Sequence, residues 1–126
     1  MAYIPFPIVT GQTSGGGGGI DTFDVVIASS AAPENDDESG FFQFPFACTV
    51  EWVRVTAKTP GGTTTAMTRR NSGATDVQAL TLGAADTSQQ VTLSGVSTTP
   101  DEKWDCKFTA VGDHTDVVVM ARATAV

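Results

Sequence analysis

The chain has 126 residues, enough for one domain with a single hydrophobic core but too few for two domains of ordinary size. It carries 7 Lys and Arg residues against 14 Asp and Glu residues, a formal net charge of −7 that repels phosphate backbones and anionic lipid surfaces. Binding to nucleic acid or to a membrane is therefore not expected. The first ten residues lack a basic region and contain two prolines, so they do not resemble a signal peptide, and we expect a protein made in a cytosol.

Residues 1–22 differ in composition from the rest of the chain. Large apolar residues alternate with two prolines at the start, which favours an extended arm, and the five glycines at 15–19 then form a flexible tether. So apolar an arm should either fold back on its own domain or dock on a neighbour, and the tether favours the neighbour. We predict a β domain at 23–126 and a partner-docking arm that uses Tyr3, Ile4, Phe6, Ile8 and Val9.

The first predicted strand of the domain is 22–29, and an acidic loop follows it. Residues 33–38 of this loop carry four carboxylates, which raises the possibility of a calcium site. The spacing does not match the D-x-[DN]-x-[DN]-G pattern of helix-loop-helix sites, and acidic turn residues are usually just solvated. We therefore favour a solvated turn and expect no metal.

The densest apolar stretch is 40–58, with four Phe residues and one Trp. Val53, Val55 and Ala57 alternate with polar residues, the pattern of a strand with one buried face. Trp52 falls on the opposite parity. Either a bulge turns it inward, or it is an exposed aromatic residue at a contact surface, and the pattern leaves both alternatives open.

Further short strands are predicted after turns rich in Gly, Pro and Asn, at 63–70, 76–82, 89–93, 104–110 and 116–123. The clearest alternation places Trp104, Cys106 and Phe108 on one buried face. The last strand is apolar on both parities as far as Met120, which indicates burial on both sides or cover by a partner subunit. About eight strands spaced near ten residues predict an all-β fold, an antiparallel β-sandwich of jelly-roll type with an extended N-terminal arm.

Side chains that could carry chemistry are few. Cys48 and Cys106 are too few for a disulfide framework or a four-ligand zinc site, and burial as free thiols is favoured over a bridge. His114, the only histidine, lies in a predicted surface turn, and no G-x-S-x-G motif accompanies it. The glycine run lacks the Gly-Lys-Ser/Thr that a phosphate-binding loop needs. We predict no catalytic residue, no cofactor and no enzymatic activity.

Arg69 and Arg70 form a basic pair at the end of a predicted strand. They could contact an acidic partner, although two arginines at a strand end more often stand in water. Together with Trp52 they make up the predicted contact surface of the domain.

The order of features from residue 40 onward resembles a small β-sandwich domain of structural proteins of tailed bacteriophages. The resemblance rests on the FQFPFACTV entry strand, the following strand with its Thr-Pro-Gly turn, the RRNSG turn and the two late strands, at 42–50, 51–62, 69–73, 104–110 and 117–123. The segment 95–102 departs from the usual pattern of that domain. The resemblance implies a virion part, of the kind found in head-decoration (cement) proteins, head fibres and tail fibres, which commonly assemble as trimers.

Two functions are consistent with this resemblance. The first is a capsid-decoration protein, assembled in the host cytoplasm, that sits on the virion head as a homotrimer and clamps the major capsid protein and neighbouring copies with its arm. The second is a tail-fibre or receptor-binding module, in which loops such as 31–39 or 95–102 bind host glycans. The short chain favours the first, because a fibre protein normally carries a long shaft.

Overall fold

The computed structural model describes the backbone of residues 9–13 and all of residues 22–126. In this part of the chain there are eight strands and no helix, so no helix there could span a membrane. The strands are β1 (Val9–Thr13), β2 (Thr22–Ser30), β3 (Cys48–Thr56), β4 (Thr64–Arg70), β5 (Thr75–Leu82), β6 (Ser88–Thr98), β7 (Asp105–Ala110) and β8 (Val117–Ala125).

The strands form two antiparallel sheets, of order β1-β2-β8-β3-β6 and β5-β4-β7. Residues 38 and 42 make isolated antiparallel bridges to Lys107 and Trp104, so the segment between them extends the smaller sheet beyond β7 without forming a regular strand. Early segments thus pair with late ones: β2 with β8, 38–42 with β7, β3 with β6 and β4 with β5. A long antiparallel ribbon rolled into two sheets has this order, which is that of a jelly roll. The predicted all-β sandwich is confirmed.

The core lies between the two sheets and is richest in aromatic residues near one end. Phe23 and Phe44 are fully buried there with Trp104, and Phe42 and Phe46 pack against them. The rings meet edge to face, with centroids between 4.9 and 6.1 Å apart, the arrangement that ring quadrupoles prefer. Pro45 stands in a bend just before β3, where its missing N–H costs no ladder bond. The aromatic stretch at 40–58 therefore supplies much of this end of the core.

Strand β6 is longer than its sequence pattern predicts. The alternation ends at Leu93 and predicts a loop at 95–100, but the strand continues to Thr98. The reason is an irregularity opposite Glu51: Val50 pairs with Val96 while Trp52 pairs with Thr92. Gly95 absorbs the extra residues with a left-handed φ of 67°. The predicted loop is wrong as far as residue 98.

The backbone of β1 pairs antiparallel with β2 of the same chain, with Val9 opposite Val25 and Thr13 opposite Thr22. In this single chain, the edge of β2 offers unpaired backbone groups, and the backbone of β1 pairs with it. Docking of Val9 on a neighbouring subunit stays a prediction. The other predicted docking residues, Tyr3, Ile4, Phe6 and Ile8, lie outside the described residues, as does the glycine tether. Their docking role stays a prediction.

Candidate interaction surface

The outward side of the five-stranded sheet carries aromatic, apolar and charged side chains around Trp52. The inward residues of β3 and β8 are buried in the core, whereas the outward ones are partly covered. We call the outer face the outward side chains on β2, β3 and β8, namely Asp24, Val26, Trp52, Arg54, Val118, Met120 and Arg122. It lies on the side of the sheet away from the core, where a partner could cover it.

A bulge decides which way Trp52 points. Cys48 and Val50 face inward, and Glu51 is the extra residue relative to β8, where Val50 pairs with Ala123 and Trp52 with Arg122. The alternation then resumes with Val53 inward. The bulge therefore preserves the buried row of β3 on both sides of the irregularity and leaves Trp52 outward and half-exposed. Of the two alternatives left open by the sequence, the outward position is the observed one. Contact with a partner stays a prediction.

Two guanidinium groups flank the Trp52 ring. The Cζ of Arg54 lies 4.5 Å from the ring centroid and that of Arg122 lies 5.1 Å from it, both within the range of cation–π attraction. Each guanidinium is held by an acceptor on the neighbouring strand. Arg54 Nε donates to Gln90 Oε1 at 2.9 Å, and Arg122 donates to both carboxylate oxygens of Asp24 at 2.7 and 3.0 Å. The indole and its cations thus form a braced cluster.

Aliphatic side chains continue the outer face beside this cluster. Met120 pairs in register with Val26 on one side and with Arg54 on the other, and Val118 lies two residues away on the same face of β8. All three apolar side chains are half-buried. This pattern explains why β8 is apolar on both parities: one side fills the core, and the other forms a partly open apolar row.

Arg69 and Arg70 are both engaged within the chain, so neither stands free in water. Arg69 donates to both carboxylate oxygens of Asp105 and to Glu38 Oε1, the last at 3.0 Å, and its side chain is only 13% exposed. These hydrogen bonds, first of all those to Asp105, raise the pKa of Arg69 above its usual value. Arg70 donates from Nε to Glu102 Oε2 at 3.0 Å. The structure brings neither arginine to Trp52, and the three residues do not form one surface.

The acidic loop is tied to the smaller sheet. Glu38 pairs with Arg69, and Asp36 lies 3.7 Å from Lys107. Asp37 is buried and accepts the backbone N–H of Glu34, which closes the turn. The expectation of a simply solvated turn is therefore wrong for Asp37. Within the described residues no group of three or more His, Cys, Asp or Glu side chains is placed to hold a metal ion.

His114 is buried, and the predicted surface position is wrong. Its Nε2 lies 3.1 Å from the carbonyl oxygen of Gly83 and 3.2 Å from that of Asp86, so this nitrogen carries the proton. Its Nδ1 accepts from Thr64 Oγ1 at 2.8 Å, and the same hydroxyl accepts the N–H of Gly112. Both ring nitrogens thus join the β5–β6 turn to β4 and to the turn before β8, which is a structural role.

The two cysteines are buried and free, as their pattern predicts. Burial raises the pKa of Cys48 to about 11 and that of Cys106 to about 12. A thiolate is the reactive form of cysteine, so neither residue is activated for nucleophilic chemistry near neutral pH.

Sequence reasoning found Trp52 but missed the residues that complete the outer face. Arg54 shares the face of Trp52 because it lies two residues further along β3. Met120 and Arg122 become neighbours of this pair only through the pairing of β3 with β8. The outward parity of β8 was a usable signal, because it places Val118, Met120 and Arg122 on one side. Comparison with known proteins adds no relative: no family model, no curated protein and no solved structure matches the chain at a significant level.

Proposed function

We propose that this chain is a virion structural protein of a tailed bacteriophage, a decoration protein that binds the outer surface of the head. The observation that carries the proposal is the outer face, where Trp52 lies between Arg54 and Arg122 beside Met120 and Val26. Trp, Arg and Met are the residue types enriched in protein–protein interfaces, and Trp and Arg carry much of the binding energy there. A face of this kind suits docking on another protein.

The bracing of the cluster supports the same conclusion. Because Asp24 and Gln90 already hold the two guanidinium groups, little side-chain freedom is lost when a partner covers the indole. The guanidinium groups also keep hydrogen-bonding capacity for acidic groups of a partner. On a chain of net charge −7, the outer face as defined carries two arginines against the single carboxylate of Asp24.

The jelly roll supports the proposal in a weaker way. Viral capsid proteins use this fold, but so do lectins and other proteins, so the fold raises the expectation without deciding it. In the proposed assembly three copies form a trimer on the head surface, contact the major capsid protein through the outer face, and gain avidity from their arms. The trimer and the head location follow from the resemblance described above.

The test is binding of purified protein to heads of the encoding phage that were prepared without it. The wild-type chain should co-sediment with the heads, and Trp52→Ala should bind at least about tenfold more weakly, as the loss of an interface hot spot does. Phe41→Ala is the matched control, because Phe41 is an exposed aromatic residue, 50% accessible, that does not belong to the outer face. Thermal unfolding would verify that both variants fold.

Failure of the wild-type chain to bind heads would contradict the decoration role. Equal binding of the wild-type chain and Trp52→Ala would contradict the use of the outer face.

A further inference from the structure

A cleft of about 440 Å³ opens between the two edge strands β5 and β6, away from the outer face. Its walls are Arg70 at the end of β4, Asn71 in the turn that follows, Thr75 to Val77 at the start of β5, Val96 on β6, and Glu102 in the loop before β7. The volume falls within the range of small-molecule sites. Four separate segments converge here. Arg70 and the segment 95–102, which contains Val96 and Glu102, already stand out in the sequence, whereas Asn71 and residues 75–77 do not.

The charged wall of the cleft is held rigid by a chain of hydrogen bonds. Trp104 Nε1 donates to Thr98 Oγ1 at 2.8 Å, and that hydroxyl donates to Glu102 Oε1 at 2.8 Å. Arg70 Nε donates to Glu102 Oε2 at 3.0 Å, and its guanidinium lies 5.7 Å from the centroid of the Trp104 ring. The buried indole of Trp104 thus fixes the side chains of Arg70 and Glu102. They therefore lose less conformational entropy when a ligand binds.

A strained turn directly follows Arg70 in this wall. Asn71, Ser72 and Gly73 all adopt left-handed backbone conformations, with φ of 56°, 57° and 83°. Side chains other than glycine rarely take this conformation, and consecutive residues in it are costly. The turn is anchored where Ser72 N–H donates to the Lys103 carbonyl at 3.0 Å. This strained and anchored turn places Asn71 in the cleft wall.

The chemistry of the walls selects the ligand class. Two carboxylates, Asp76 and Glu102, outnumber the single guanidinium of Arg70, and the whole chain is acidic, so an anionic ligand is disfavoured. Carboxylates accept hydrogen bonds, whereas a guanidinium donates them and an amide does both. Hydroxyl groups, which also do both, match this mixture. Val77 and Val96 add apolar wall for C–H groups.

We propose that this cleft binds a neutral saccharide, with sugar hydroxyls hydrogen-bonded to Asp76, Asn71 and Arg70 and a C–H face packed on Val77 and Val96. The site is independent of the outer face and of head decoration. A decoration protein that also holds a neutral glycan would present a weak adhesive site toward the surroundings of the virion.

The test is titration of the full chain with glucose, galactose and N-acetylglucosamine, followed by amide NMR shifts up to about 100 mM, far above a Kd of about 1 mM. We expect saturable shifts at Asn71, Val77 and Val96 with at least one of these sugars. Asp76→Ala and Asn71→Gly should each weaken binding about tenfold, as loss of a hydrogen bond to the ligand does. Glycine suits the left-handed backbone at 71, so the second variant should keep the fold.

Asp113→Ala is the matched control, because it removes an exposed carboxylate outside the cleft and should leave the affinity unchanged. The proposal would be overturned if no sugar gave saturable shifts in the cleft, if sodium sulfate gave them instead, or if Asp76→Ala bound as tightly as the wild type. Binding to phage heads is measured separately, so failure of either proposal leaves the other standing.

Discussion

At the scale of single residues, burial distinguishes side chains that hold the fold together from those that a partner could reach. Trp104 is fully buried, and its indole N–H donates to Thr98 Oγ1. Trp52 is only half-buried and lies between the guanidinium groups of Arg54 and Arg122. His114, the residue that a search for catalysis would examine first, uses both ring nitrogens to hold turns together. In the described part of the chain, the partly exposed indole of Trp52 is thus a better candidate for function than the buried imidazole of His114.

The two buried thiols predict a loss of stability in alkali. Burial raises the pKa of Cys48 to about 11 and that of Cys106 to about 12 in the folded chain, from an ordinary value of 9.0. Between pH 9 and 11 the unfolded chain therefore releases these protons while the folded chain keeps them, so the free energy of unfolding falls as pH rises. Urea unfolding from pH 7 to 10.5 measures it.

A double variant, Cys48→Ala with Cys106→Ala, is the control for this pH dependence. It should be less stable at neutral pH because it loses buried volume, but its stability should fall less between pH 9 and 10.5. An unchanged slope in the double variant would show that the thiols are not the cause.

At the scale of elements, the ion pairs of β4 differ in how deeply they are buried. Asp105 is 2% exposed and receives two hydrogen bonds from Arg69, which also pairs with Glu38 of the acidic loop. Glu102, the partner of Arg70, is more accessible and also accepts from Thr98. The first pair therefore fixes the loop and β7 to β4, whereas the second forms the wall of the cleft.

This difference predicts unequal costs for two matched substitutions. Arg69→Met should lower the free energy of unfolding by about 3 kcal/mol, because it leaves the Asp105 carboxylate buried without its cation. Arg70→Met should cost about 1 kcal/mol or less, as expected for a partly exposed pair. Urea denaturation of both variants measures the difference. Equal costs, or a smaller cost for Arg69→Met, would contradict a structural role for the Arg69–Asp105 pair.

Strand positions could be predicted from sequence wherever one face is buried and the other is wet. The turn residues on either side also locate β4 and β5, predicted at 63–70 and 76–82, to within one residue at each end. The continuation of β6 through Gly95 could not be predicted, because a bulge leaves no period to recognise. Nor could the burial of Asp37 and His114, which depends on hydrogen bonds to residues distant in sequence or to the turn backbone.

At the scale of the whole molecule, the outer face and the cleft lie on different parts of the sandwich. The outer face follows β2, β8 and β3, whereas the cleft lies between β5 and β6. Both sites are assembled by the pairing of strands that are distant in sequence. The sequence therefore points to Trp52 and Arg70 as individual residues but does not show which side chains surround them. The phage resemblance, in contrast, came from the order of motifs along the chain and rests on no contact.

The arm gives a prediction at this scale. Deleting residues 1–14 removes β1, an edge strand, and leaves the buried core of 22–126 intact, so the truncated chain should still unfold cooperatively. Its binding to undecorated heads should be lost, because the proposed arm contacts and their avidity are gone. Circular dichroism and co-sedimentation measure the two effects. Unchanged occupancy of the truncated chain on heads would contradict a docking role for the arm.

The most direct test of the decoration proposal is an electron micrograph of the virion with this protein labelled by an antibody. The proposal predicts label spread over the head surface, and loss of that label from heads assembled with the Trp52→Ala chain. Label confined to the tail or fibres, or absent from the virion, would contradict it.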